Sequence, residues 1–317
     1  MPAETLLVVN PKSRAGRSAR HLAALRAGVE AALGELEVAL TRGPRDAERI
    51  AREGVRAGCR RVVVAGGDGT VSEVVTGILG ADLGRYAELA VLPFGTGGDL
   101  PRTLGIPRDL GAALAALARG KRRVVDAGRV DYRTAEGTPR SSYFLNVASA
   151  GVSGLVDQLV ARGGKGLGGR IAFLLATVRA LVAYRAAPVE ARLDGRSLGR
   201  GGLVLAAAAN GRYFGGGMQV APEARPDDGA LDAVFIADRS KLFLLRNLPR
   251  IYRGTHLAVE GVASGRGGIL ELEPLLVEGA RGEPPRIPVD VDGEPLGYLP
   301  ARFEVVPRAL TLFGLLG

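Results

Sequence analysis

Short apolar runs that stop at a polar or glycine-rich turn, each followed by a segment of helical period, organise the first 126 residues. The runs are TLLVVN (5–10), LEVALT (36–41), RRVVVA (60–65) and LAVLPF (89–94). Helix patterns between and after them cover about Ser18–Leu33, Asp46–Ala57, Val71–Leu79, Asp99–Leu104 and Leu110–Arg119. A strand that is apolar at every residue has both faces buried, and the intervening helices are what bury them. The expected fold of this half is α/β, a parallel sheet with flanking helices. Such sheets take ligands beyond the carboxyl ends of their strands.

After about Asp126 the texture changes. VEARLDG, GLVLAAAAN, LDAVFIA, ILELEPLLVEG, PVDVDGEPLG and RFEVVP are short or alternating strand patterns separated by Gly, Pro and Asp-Gly. They predict a mainly antiparallel, β-sandwich-like second domain. GGRIAFLLATVRALVAYR (168–185) is the helical exception. Its broad apolar face, with Arg170, Arg179 and Arg185 at the boundary, suits either a core helix or the border of a lipid-entry groove. ARGGKGLGGR (161–170) is the segment expected to be mobile. A chain of 317 residues exceeds what one core usually supports, so domains over 1–127 and 128–307 are expected.

Composition narrows the function. No apolar stretch of 18 residues is present, so a membrane span is not expected, and MPAETLLVVNPK reads as a first strand and not as a signal peptide. Cys59 is the only cysteine, which excludes an intramolecular disulfide and points to a reducing compartment. His21 and His256 are the only histidines, which excludes a histidine-rich metal site. The net charge of +9 favours anionic partners, or is simply a solvated basic surface. With 5% aromatics and no nucleic-acid signature, nucleic acid is not expected.

VVVAGGDGTVSEVV (62–75) places three glycines and one acid where a strand ends and a helix begins. Unpaired first-turn N–H groups and the helix dipole favour a phosphate there, and a side chain would push that phosphate away. A plain turn competes with this reading, because Thr70 and Glu73 also fit a T-x-x-E capping box. Two further loops leave the same expected edge. NPKSRAG (10–16) carries Lys12, Ser13 and Arg14, and FGTGGDLPR (94–102) carries Asp99 as an N-cap with Pro101 in the first helical turn. Neither GxxxxGK[ST] nor a Rossmann GxGxxG stands at the right place.

NPKSRAG, GGDGTVSEVV and LPFGTGGDLPRTLGIP resemble, in that order, the three signature segments of the diacylglycerol kinase catalytic-domain family, which includes bacterial soluble lipid kinases and sphingosine and ceramide kinases. The resemblance continues through NVASAGVSG (146–154), ANGRYFGGGMQVAPEARPDDGALDAVFI (209–236) and VDVDGEPL (289–296), and so covers nearly the whole chain. GGDGT alone is shared with NAD kinases and phosphofructokinases, and the expected fold is accordingly NAD kinase-like, with the active-site cleft between the domains. By the same resemblance 308–317 returns to complete the first domain.

The resemblance implies ATP held by Asn10, Pro11, Lys12, Ser13, Arg14, Thr41, Gly66, Gly67, Asp68, Gly69, Thr70, Val71, Ser72 and Thr96. Asp68, Asp99 and Asp126 match acids that link nucleotide, water and Mg²⁺, with Asp68 counted among the catalytic residues. ARPDDGALD (224–232) resembles a structural magnesium loop, which implies ligation by the Arg225 carbonyl, the Asp228 carboxylate and the Ala230 carbonyl. Read without the family, PDDG is an acidic turn and the Asp-Gly of VDVDGEPL a hairpin turn. With it, Glu294 is the general base. Two positions depart from the family pattern: Gly98 and Ser72 stand where Asn is usual.

The expected activity is ATP- and Mg²⁺-dependent phosphorylation of a lipid hydroxyl, of the diacylglycerol kind, by a cytoplasmic protein resting peripherally on the anionic inner face of a membrane, as a homodimer if it follows its relatives. A GGDGT kinase with a soluble acceptor, such as an NAD kinase, and a non-catalytic nucleotide- or lipid-binding pseudokinase are the alternatives.

Overall fold

The structure, a computed structural model, describes residues 3–13, 21–94, 98–119, 121–162, 169–276 and 283–316. The chain divides into two units, one of Met1–Ala127 with Val306–Gly317 and one of Gly128–Val305.

In the first unit the elements alternate as the apolar runs require: β1 (Thr5–Val9), α1 (Leu22–Leu33), β2 (Leu36–Leu40), α2 (Asp46–Arg56), β3 (Arg61–Gly66), α3 (Asp68–Leu79), β4 (Glu88–Pro93), α4 (Asp99–Leu104) and α5 (Leu110–Arg119). The strands are parallel in the order β2-β1-β3-β4. Leu7, Val9, Val63, Ala65, Ala90 and Leu92 face Leu25 and Val29 of α1 and Ala113 and Leu117 of α5 in one buried cluster. Leu6 turns the other way, against Gly54 of α2, where an added Cβ would strike its Cδ2. Both sheet faces are thus covered, which is why these strands carry no polar alternation.

The second unit takes up the chain within β5 (Arg122–Arg133) and continues through β6 (Pro139–Phe144), β7 (Val147–Gly151), α6 (Val152–Arg162), α7 (Gly169–Ala183), β8 (Ala187–Leu193), β9 (Arg196–Ala209), β10 (Leu231–Ala237), α8 (Lys241–Tyr252), β11 (Val262–Gly267), β12 (Ile269–Pro274), β13 (Pro288–Val291) and β14 (Glu294–Phe313). Its pairings, β11-β10-β9-β7-β13-β14 and β9-β8-β12-β14, are antiparallel. One core lies among Phe144, Leu203, Phe235, Leu270, Val289 and Phe303, and a second gathers Val152, Val156, Ala180, Val204, Val220 and Val234 under the helices.

β14 runs on into the first unit, where Thr311 and Leu312 pair in parallel with Glu88 and Leu89 of β4. RFEVVP and ALTLFG are therefore one strand. The helix expected over 168–185 is α7, whereas α6 and α8 replace what read as strand-rich sequence. Pro249 lies inside α8, and it is the residue that hides this helix from a reading by period. The segment 161–170 falls largely outside the described residues.

Candidate active site

Four strand ends form one edge of the first unit. Val9 lies beside Leu40 and Ala65, and Gly66 beside Pro93. The backbone carries this pairing one residue further: Thr41 N donates to Val9 O (2.9 Å), Asn10 N to Ala65 O (3.0 Å) and Phe94 N to Gly66 O (3.2 Å). Asn10–Ser13, Thr41 and Gly66–Ser72, all expected nucleotide residues, hence leave the sheet side by side. Arg14 and Thr96 lie outside the described residues.

Asn10 organises the first loop. Its side-chain carbonyl accepts from Lys12 N (3.0 Å) and its amide donates to Thr70 Oγ1 (3.0 Å). The second loop is shorter than the sequence suggests, because α3 begins at Asp68 and not at Val71. Gly67 is the N-cap, and no side chain caps the helix. The first helix bond runs from Val71 N to Gly67 O (3.1 Å), so the N–H groups of Asp68, Gly69 and Thr70 lack intrahelical acceptors. This is an anion-receptive helix start.

The capping box read from Thr70 and Glu73 does not form. Thr70 sits inside α3 and faces Asn10, while Glu73 accepts from Arg45 N (2.8 Å) and Ala47 N (3.2 Å), closing the start of α2 instead. Burial pushes the Glu73 carboxyl up, against those two bonds. Gly66 also has a packing reason, since a Cβ there would strike Thr70.

Asp99 is the first helical residue of α4, not its N-cap, which is Gly98. It is buried, with Oδ1 3.8 Å from Arg102 Nη1. A Cβ on Gly98 would lie 2.8 Å from Arg108 Nη2, and that same nitrogen donates to Gly98 O (3.0 Å). The departure at 98 is thus matched by an arginine over the loop. Asp126, buried in β5, accepts from Arg308 N (2.7 Å).

In the second unit Glu294 is exposed at the start of β14, paired with Val291 across a turn of Asp292 and Gly293. Those two residues have φ of 50° and 82°, the signature of a type I′ hairpin. Asp292 exchanges bonds with Val147, its Oδ1 accepting from Val147 N (3.0 Å) and its own N donating to Val147 O (2.9 Å). VDVDGEPL is therefore a latched hairpin that presents Glu294 at its tip.

Behind that tip lies a carboxyl cluster the sequence reading missed. Asp290 is buried, with the Ser149 hydroxyl 2.9 and 2.8 Å from its two carboxyl oxygens. Ser149 is also 2.9 Å from the Ser153 hydroxyl in the first turn of α6. Asp157 follows Ser153 by one helical turn, and its Oδ2 is buried without a hydrogen-bond partner. Burial, then the charges of Asp290 and Glu294, push the Asp157 carboxyl up to about 8. Burial also raises Asp290, against hydroxyl bonds from Ser153 and Ser149. An aspartate one turn from Ser153 on the apolar face of α6 is the signal that could have found Asp157.

The expected structural magnesium loop is neutralised by protein. Asp228 Oδ2 pairs with Arg266 Nη2, while Oδ1 accepts from Ala230 N (3.3 Å). A half-exposed guanidinium thus stands against the carboxylate of the loop formed by Arg225, Asp228 and Ala230, the expected ligands. The acids of the first unit are a different case. Among the described residues no three His, Cys, Asp or Glu side chains converge as a ligand set. Asp68, Asp99 and Asp126 carry hard oxygens of the kind that would meet a magnesium ion arriving on nucleotide phosphates with its waters.

Comparison with known proteins bears on the family and the fold. A diacylglycerol kinase catalytic domain model matches residues 4–130, and a YegS C-terminal NAD kinase beta sandwich-like domain model matches 146–314. The chain is 31% identical to a diacylglycerol kinase of Mycobacterium tuberculosis, over 84% of this chain and 80% of that one. It is 34% identical to a Pseudomonas aeruginosa protein named "Probable lipid kinase YegS-like", over 97% and 93%. Among solved structures, a diacylglycerol kinase of Bacillus anthracis superposes with a TM-score of 0.72 at 25% identity, covering 98% and 96%. Yeast NADH kinase shares the fold alone, at a TM-score of 0.53 and 14% identity over 96% and 78%. On these matches across both halves, the chain belongs to the family of diacylglycerol kinases and YegS-like lipid kinases.

Proposed function

We propose that the protein is an ATP-dependent lipid kinase that transfers the γ-phosphoryl group to a hydroxyl of a diacylglycerol-like lipid. The observation that carries this reading is the uncapped start of α3 beside the Asn10 loop, in a chain whose family is one of kinases. A helix start with no side-chain cap and the Asn10–Thr70 tie make a rigid cradle for a triphosphate tail, as phosphoryl transfer depends mostly on positioning and charge neutralisation. Magnesium, brought with ATP and met by Asp68, Asp99 and Asp126, would neutralise charge developing on the phosphates. Glu294 accepts the proton of the acceptor hydroxyl, a role that its exposed place at a latched hairpin tip supports.

A lipid acceptor calls for contact with a bilayer surface. No helix among the described residues is long and apolar enough to cross a membrane. α7 and α8, however, expose Leu174, Leu175, Val182 and Leu242, and with a net charge of +9 the chain suits a peripheral stay on anionic lipid. The test is incubation with ATP, Mg²⁺ and a mixed lipid extract, with products read by mass spectrometry. A phosphorylated lipid is expected from wild type and not from Asp68→Ala. Phosphorylation of NAD or another soluble metabolite, with no labelled lipid, would replace this reading by the soluble-acceptor one.

A further inference from the structure

We infer that the carboxyls of Asp157 and Asp290 hold one proton between them, carried by Asp157, and that this pair docks α6 onto the β13–β14 hairpin and thereby positions Glu294. The inference rests on the reading of Glu294 as general base.

The geometry is local to the second unit. Ser149 of β7 stands opposite Asp290 of β13 in register, and β7 passes directly into α6. The helix lies close on β13: a Cβ at Gly154 would come within 2.7 Å of Pro288. Asp290 and Glu294 belong to one hairpin, separated by Val291 and the two-residue turn. Ser153 and Asp157 occupy one face of α6, so the hydroxyl pair Ser149–Ser153 leads from the Asp290 carboxylate toward Asp157.

Two carboxylates cannot both ionise cheaply in such a place. The charged groups acting on Asp157 are Asp290 of β13 and Glu294 of β14, both acidic; β7 and α6 itself contribute the hydroxyls of Ser149 and Ser153. Asp290 has hydroxyl bonds that suit its charged form, whereas the buried Oδ2 of Asp157 has none. The proton therefore resides on Asp157. With one proton the pair leaves a single negative charge beside the hairpin and gives α6 a neutral seat. Without it, three anions face one another and the hairpin is driven off the helix. Asp157 and Asp290 are thus positioning residues, acting through Glu294.

The test is the pH profile of kcat and KM with diacylglycerol in mixed micelles, ATP and Mg²⁺. Wild-type kcat is expected to fall as pH passes about 8, where Asp157 loses its proton. Asp157→Ala should lower kcat at pH 7 by about 10- to 100-fold with KM for ATP unchanged, as expected for a displaced catalytic group. Asp157→Asn, permanently neutral and able to donate, should rescue most of that loss and lack the alkaline fall. An alkaline fall identical in wild type and Asp157→Asn, or an undiminished Asp157→Ala, would overturn the inference. Amide exchange of residues 288–298, corrected for intrinsic rates, reads the docking independently of activity. Should wild type phosphorylate no lipid, the kinase reading fails, while the docking still predicts faster hairpin exchange in Asp157→Ala than in Asp157→Asn. Equal exchange would sink it.

Discussion

The Asn10 side-chain amide donates to the Thr70 hydroxyl at 3.0 Å, joining the loop after the first strand to the opening turn of a helix sixty residues later. Neither group is charged, so the tie supplies geometry and not attraction for phosphate. Asn10→Ala should leave the fold intact and raise KM for ATP by about 5- to 10-fold, the usual worth of one hydrogen bond. Steady-state kinetics at saturating lipid checks this, and an unchanged KM would remove Asn10 from the cradle.

Glu294→Gln keeps the shape of the hairpin tip and removes its basicity. General-base catalysis contributes about 10²- to 10⁴-fold, and kcat should fall by that much while ATP affinity holds. Calorimetric ATP titration beside the kinetic assay separates the two quantities.

Glu73 closes the start of α2 with two backbone bonds, a stabilising role. Glu73→Ala should cost about 1–2 kcal/mol, as for other lost caps. Urea denaturation measures the loss directly.

Gly98 and Arg108 should behave as one unit, because a side chain at 98 meets the guanidinium. Gly98→Asn alone is expected to disturb the third loop, and Arg108→Ala to relieve that disturbance. Their coupling in a double-mutant cycle on ATP affinity should be about 0.5–3 kcal/mol. Additive effects would show that the arginine has no hold on the loop.

His256 is buried, its Nε2 bonded to Val220 O (3.1 Å) and its Nδ1 without a partner. Burial depresses its basicity, against the bond to Val220. A ring kept neutral in the folded state but free to protonate when unfolded stabilises above the unfolded pKa of about 6.5, and that stability is lost as pH falls below it. Denaturation midpoints measured from pH 7.5 down to pH 5 should drop more steeply for wild type than for His256→Gln. Equal slopes would contradict the assignment.

The sheet of the first unit was legible because TLLVVN, RRVVVA and LAVLPF are apolar throughout, and a strand buried on both faces can be little else. The glycines at 66, 67 and 69 were legible for the same reason, since they end such a run. What escaped was set by contacts distant in sequence. Thr70 and Glu73 satisfy a local pattern, yet each found a better partner elsewhere, in Asn10 and in the start of α2. The pairing of Asp228 with Arg266, 38 positions on, was likewise out of view. Asp290 looks like the polar side of an alternating strand, but α6 covers that side. Asp157 reads as one more helix polar residue until β13 is laid against it.

Because Thr311 and Leu312 supply the strand beside β4, the first unit borrows its border from a stretch of polypeptide made only after the whole of the second unit. On the ribosome, β4 must wait with bare amides and carbonyls until all of Gly128–Val305 has emerged, an open invitation to wrong partners. Loss of residues 306–317 alone would therefore strike the first unit, at a distance of more than two hundred positions from the loops after β1 and β3.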